Sequence, residues 1–139
     1  MSDLQRFKEA QRRDFDTALA EIKNGRKQSH WMWYIFPQIH GLGFSSMSAY
    51  YAIKDLKEAE DFLNDPYLGG NLRKISEALL ELETDDPHRV FGSPDDLKLL
   101  SCMTLFEAAG GRGGVFTRVI EKYYRGRRDR KTVEILGRG

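Results

Sequence analysis

Between Gly25 and Ser46 the chain reads GRKQSHWMWYIFPQIHGLGFSS, a run of residues able to build a wall, a floor and a set of donors. His30 can exchange a proton near neutral pH or donate a hydrogen bond. Trp31 and Trp33 carry flat apolar faces suited to stacking, and Gln38 adds an amide that both donates and accepts. Gly41-Leu42-Gly43 lets the backbone reach positive φ and approach another group closely, and Ser45 or Ser46 then caps a helix through MSAYYAI. Loop glycines ahead of a helix N-terminus have the layout of a cradle for a phosphate or carboxylate. Lys98, Ser101 and Thr104 follow one another at i, i+3 spacing and can share a helix face. That face is the candidate opposite wall, with Lys98 neutralising the anion.

Each of these residues also has a plainer use. The glycines make a turn of small residues, His30 serves as a satisfied structural histidine, and Lys98 pairs with Asp95 or Glu107 on the surface. From Ser29 to Ile53 there is no Asp, Glu, Lys or Arg in 25 residues, although 31% of the chain is charged, and seven of the 16 aromatic residues fall there. The segment must be mostly inside, with Trp31, Ile35 and Phe36 buried. A hydrophobic plug accounts for the aromatics. It does not account for His30, Gln38, His40, Ser45 and Ser46, each of which needs a hydrogen-bond partner if buried.

Several chemistries are disfavoured by spacing. G-L-G-F-S-S lacks the lysine and length of a Walker A loop, and no strand or third glycine makes it a dinucleotide fingerprint, so no cofactor is expected. His30, His40 and His88 show none of the i, i+3 or i, i+4 pairings of helical metal ligands and there is a single cysteine, so no metal is expected. Cys102 lies in an amphipathic segment without a positive flank and reads as a buried structural thiol.

The elements that hold these residues read as helices parted by glycine and proline, with little of the alternation that marks strands. Phe7, Phe15, Ala18, Leu19 and Ile22 recur at helical spacing over 4–24, after Asp3 as a cap and up to Gly25 as a stop, in one helix or in two broken near Arg12 to Asp14. Asp55 and Glu58 have capping-box spacing. Asp65-Pro66 opens a helix striped by Leu68, Leu72, Ile75, Leu79 and Leu82, and Ser93-Pro94-Asp95-Asp96 opens DLKLLSCMTLFEAA in the same way. Phe116, Val119, Ile120 and Tyr123 form another helix, and DRKTVEIL is the last, capped by Asp129 and stopped by Gly137. The expectation is an all-α fold, a compact irregular bundle of short helices, with residues 1–139 forming one domain.

Composition agrees with that size. A chain of 139 residues buries roughly two-thirds of its unfolded surface in one core. Lys and Arg (22) nearly cancel Asp and Glu (21), so no global charge points to nucleic acid or membrane. The longest nearly apolar run, Trp31 to Ile39, contains Pro37 and Gln38 and falls well short of the roughly 20 residues that cross a bilayer. One cysteine and no signal-like start give a cytoplasmic expectation, for a monomer or weak oligomer.

HWMWYIFPQIHGLGFSSMSAYYAI, EAEDFLNDPYLGGNLRKISEALLEL, FGSPDDLKLLSCMTLF and YYRGRRDRKTVEIL together resemble the bacterial family called domain of unknown function 1810, whose members are often labelled calpastatin. The resemblance covers nearly the whole chain. It implies a mainly helical single domain, as in the mycobacterial member of known fold, and no established activity. The family's signature falls here on His30, Trp31, Trp33, Phe36, Pro37, Gln38, Gly41, Gly43, Ser46, Asp96, Lys98, Ser101, Thr104, Asp129 and Thr132. Cys102 stands where the family tends to have serine, which gives no support to a cysteine nucleophile. Calpastatin itself is a poor physical match, because those inhibitors are disordered repeats and this chain has the periodicity and caps of a packed domain.

Three functional classes follow. The first is a pocket for a small anionic or nucleotide-like ligand, lined by His30, Trp31, Trp33, Gln38, Gly41, Gly43, Ser46, Lys98 and Ser101. The second is nucleic-acid binding through the C-terminus, where Arg125, Arg127, Arg128 and Arg130 belong to a run with a net charge of +5 from Lys122 onward; the same run also serves as an ordinary solvated helix end. The third is a protein-interaction module anchored by tryptophans. A pocket requires them concave, an interface convex.

Overall fold

The computed structural model describes residues 3–43 and 45–137. Phe44, one of the aromatic residues of the uncharged stretch, lies outside them. The fold class is the expected one: nine helices, with no strand among the described residues beyond an isolated parallel bridge between Ile39 and Ile53.

Helix α1 (Gln5–Lys23) runs unbroken through Arg12 to Asp14, because Phe7, Ala10, Phe15, Ala18, Leu19 and Ile22 carry one buried stripe past that point. Asp3 accepts the Gln5 amide at 3.1 Å, and Gly25 at φ +83° turns the chain out of the helix. Short helices α2 (Met32–Ile35) and α3 (Ser46–Tyr51) bracket the glycine loop. Asp55 caps α4 (Leu56–Asn64) by accepting the Glu58 amide at 2.9 Å, while Glu58 accepts the amide of Lys54. That is one residue ahead of the amide a capping box engages.

Asp65 caps α5 (Pro66–Leu80) through the amides of Tyr67 and Leu68. Gly69 has a packing reason: a Cβ there would lie 2.0 Å from the Leu63 carbonyl oxygen, so only glycine lets α4 and α5 meet this closely. Asp86-Pro87 repeats the same start at α6 (Pro87–Phe91), too short to show apolar periodicity in the sequence. Helix α7 (Asp95–Gly110) begins one residue later than Ser93-Pro94 suggests; Pro94 follows a cis peptide, and no side chain caps the helix. Helices α8 (Val115–Tyr124) and α9 (Arg130–Gly137) complete the chain.

Helix α7 forms the centre, against α4, α6, α8 and α9. All seven residues from Ser101 to Glu107 are buried, so the helix has no solvent face over two turns. Its polar members are therefore paired. Glu107 accepts from Arg128 at 2.9 and 2.5 Å and from Thr117 at 2.5 Å, and the Ser101–Thr104 face receives the start of α9.

Candidate functional site at Trp33

The uncharged stretch is held by an acid outside it. Glu21, in the last turns of α1, accepts the Trp31 indole N–H at 2.9 Å, the amides of Gln28 and Ser29 at 2.7 and 2.9 Å, and the Ser29 hydroxyl at 2.5 Å. Burial pushes this carboxyl up, but the four hydrogen bonds outweigh it and bring the group down to about 2. Trp31 is 1% exposed and packs against Phe36 and Phe91. It has no ring face open to a ligand, so the stacking expected of both tryptophans is left to Trp33.

Trp33 is half-buried, and the Lys98 ammonium lies 4.0 Å from the centre of its ring. Lys98 also reaches Asp95 at 3.1 Å, and Lys27 reaches the other oxygen of the same carboxylate at 2.9 Å. The surface pairing foreseen for Lys98 with Asp95 is thus present, but embedded in a larger cluster. Burial favours the neutral Asp95 carboxyl; the two ammonium groups prevail and keep it below the usual carboxylate range. The side chains of Lys27, Asp95 and Lys98 are 10%, 17% and 21% exposed, so two cations share one anion with little solvent. One positive charge is left over, above the face of an aromatic ring.

Trp33 also lines a crevice with Gln38, His40, Gly41, Gly43 and Tyr51. Its shape is set by the Ile39–Ile53 bridge, in which the Ile53 amide donates to Gln38 and the His40 amide to Ile53, both at 2.8 Å. Arg6 secures the far strand of the loop, donating to the carbonyls of Tyr50 and Ala52 at 2.8 and 2.9 Å. The glycines have steric reasons here: Gly41 adopts φ +105°, and a Cβ on Gly43 would come 2.8 Å from the Ser48 hydroxyl. The free space is about 20 Å³, the room of one oxygen-sized group. The side-chain nitrogen of Gln38, Nε2, is buried in this wall without a hydrogen-bond partner among the described residues.

Four of the residues singled out in the sequence, Trp33, Gln38, Gly41 and Gly43, therefore meet at one crevice, with Lys98 behind the ring. Others do not join them. Ser46 is exposed in the first turn of α3, where Ser45 is the cap and already accepts the Ser48 amide at 3.1 Å. His30 is exposed outside the crevice lining, its carbonyl accepting the Tyr34 hydroxyl at 3.2 Å. Ser101 donates to Asp129 at 3.0 Å, and Thr104 accepts the Asp129 amide at 2.9 Å. Asp129 in turn caps α9 through the amide and hydroxyl of Thr132 at 3.2 and 2.5 Å. The Ser101 face docks a helix, which is why those polar residues are buried. Cys102 is fully buried, and burial pushes its thiol well above the ordinary value.

In the C-terminal basic run the side chains divide. Arg128 turns inward to Glu107, and Lys122 donates to the Leu79, Leu80 and Leu82 carbonyls at the end of α5. Arg125, Arg127 and Arg130 remain exposed. Sequence reasoning missed Glu21, Glu107 and the shared role of Asp95. Each is an acid in a helix that reads as ordinary surface charge; the one available signal was its position beside an uncharged or apolar run. No group of three His, Cys, Asp or Glu fit to hold a metal occurs among the described residues, and no helix there is long and apolar enough to cross a membrane.

A family model described as protein of unknown function (DUF1810) matches residues 1–136, and the chain belongs to that family. No curated protein matches it. The crystal structure of the conserved hypothetical protein Rv1873 from Mycobacterium tuberculosis is similar at a TM-score of 0.94 and 40% identity, over 97% of this chain and 96% of that one.

Proposed function

We propose that this member of the DUF1810 family binds a small ligand bearing a carboxylate or phosphate at the Trp33 crevice. The observation that carries the reading is the buried Gln38 amide nitrogen without a partner. An unsatisfied buried donor costs roughly 1–3 kcal/mol, and an entering acceptor relieves that cost. The narrow crevice suits one oxygen of the ligand's acidic group, while the rest lies outside against the exposed part of Trp33. The uncompensated charge of the Lys27–Asp95–Lys98 cluster favours an anion there. A whole nucleotide does not fit within the crevice, so a base or sugar would remain at its mouth.

Native mass spectrometry of the purified protein, followed by thermal-shift screening with small carboxylates and phosphates, tests the reading. The decisive variant is Gln38→Met, which keeps the side chain's length and removes the unpaired donor. Ligand-induced stabilisation should vanish while the free protein melts at the same temperature or higher. A lower melting temperature of the free variant, with no acidic compound bound by the parent, would refute it.

A further inference from the structure

A second concave surface lies between the end of α1 and helix α6. It is a cleft of about 690 Å³ whose lining includes Arg26, Lys27, His88 and Arg89 above a floor of Val90 and Phe91, and which contains no carboxylate. The two walls are stitched together: the Lys27 amide donates to the Val90 carbonyl at 2.7 Å. Arg26 and Arg89 are the residues immediately before the two members of that bond, so the guanidinium groups start from neighbouring points on facing segments. The Arg26 amide bonds back to the Glu21 carbonyl at 3.1 Å, and Asp86 caps α6 through the His88 amide at 3.0 Å. Both walls are thereby ordered without a ligand.

The acids that reach this lining are already engaged. Asp95 is shared by Lys27 and Lys98, and Asp96 lies 3.5 Å from His88. Arg26 and Arg89 are exposed and make no ion pair among the described residues. Two guanidinium forks lining one cleft match a group with several anionic oxygens, since each fork binds phosphate through paired N–H groups. The apolar floor and the volume, within the range of small-molecule sites, fit a compact ligand better than a nucleic-acid strand.

We infer that the Arg26–Arg89 cleft is a binding site for a small compound carrying a diphosphate. The site is independent of the Trp33 crevice, because its donors and its lining are different residues apart from the charge link through Lys27 and Asp95.

Calorimetric titration with inorganic pyrophosphate at low ionic strength tests it. The expected result is saturable one-to-one binding, weakened by about tenfold or more in Arg26→Ala and in Arg89→Ala and unchanged within about twofold in Arg130→Ala. Backbone amide shifts in the parent should concentrate in 24–27 and 88–92, a readout that needs no variant. Absence of saturable binding overturns the inference, as does equal weakening by Arg130→Ala or amide shifts confined to residues outside 24–27 and 88–92. Tight binding of a single-stranded RNA with a steep salt dependence, lost in Arg26→Ala and Arg89→Ala, together with no saturable pyrophosphate binding, overturns it in favour of a nucleic-acid surface.

Discussion

The Lys98 ammonium stands 4.0 Å from the centre of the Trp33 ring while holding Asp95 at 3.1 Å. Asp95 keeps Lys27 if Lys98 is lost, so the carboxylate is never left unpaired. Lys98→Met should therefore change stability by no more than about 1 kcal/mol. It should nevertheless alter tryptophan emission, and that spectral difference should disappear in a Trp33→Phe background. A difference that survives there would place the affected ring at Trp31 instead.

Glu21 ties the α1–α2 connection together through four donors. Glu21→Gln removes the charge and turns an amide toward Ser29, so it should destabilise the fold by roughly 2 kcal/mol. Urea unfolding measures this. A midpoint equal to that of the parent would show that water replaces these bonds without loss.

Acid should weaken the protein in a particular window. The folded-state value of Glu21 is about 2 against an ordinary 4.5, and Asp95 is lowered as well. Between those values the unfolded chain binds more protons than the folded one, so stability is fully present above the ordinary carboxylate range and falls as pH drops toward 2. Glu21→Gln should show a shallower loss over that interval. Parallel stability curves for parent and variant would contradict the assignment.

Within one basic run, Arg128 and Arg130 should behave differently. Arg128 forms a two-bond pair with Glu107, whose side chain is 5% exposed, whereas Arg130 lies on the surface. Arg128→Ala leaves that carboxylate with Thr117 as its one side-chain hydrogen-bond donor among the described residues, and should cost about 2 kcal/mol or more. Arg130→Ala should stay within about 0.5 kcal/mol. Paired thermal melts read the contrast directly.

Gly69→Ala is the test of the α4–α5 approach. Ordinarily alanine strengthens a helix relative to glycine. Here the added carbon meets backbone at 2.0 Å, which cannot rotate away, so the variant should lose about 2 kcal/mol or more. Gly70→Ala, in open space on the same helix, should be neutral or stabilising.

Much of the fold was legible from local chemistry. Gly25, Asp55, Asp65 and Asp129 act on amides within a few residues of themselves, or on their own φ, and each sits at a helix end as read. The burial of Trp31, Ile35 and Phe36 followed from the lack of charge around them. Helix α6 was not legible, because five residues are too few to show a period.

The candidate site divides along the same line. That Trp33, Gln38, Gly41 and Gly43 lie near one another is implied by their closeness in the chain. Which of the two tryptophans keeps an accessible face was decided by Glu21, ten residues before Trp31 and in the preceding helix α1. Ser101 and Thr104 share a helix face, as their spacing requires, yet what covers that face is Asp129 from the far end of the chain. Spacing along a helix sets direction, whereas the partner of a buried polar group is set by whichever segment packs there. The sequence by itself determined helices, caps and the buried stretch, since these depend on neighbours in the chain. Only the tertiary structure decided that Lys27 joins Lys98 on Asp95 and that Arg26 and Arg89 line one cleft, because Lys27 and Asp95, like Arg26 and Arg89, are separated by more than sixty residues.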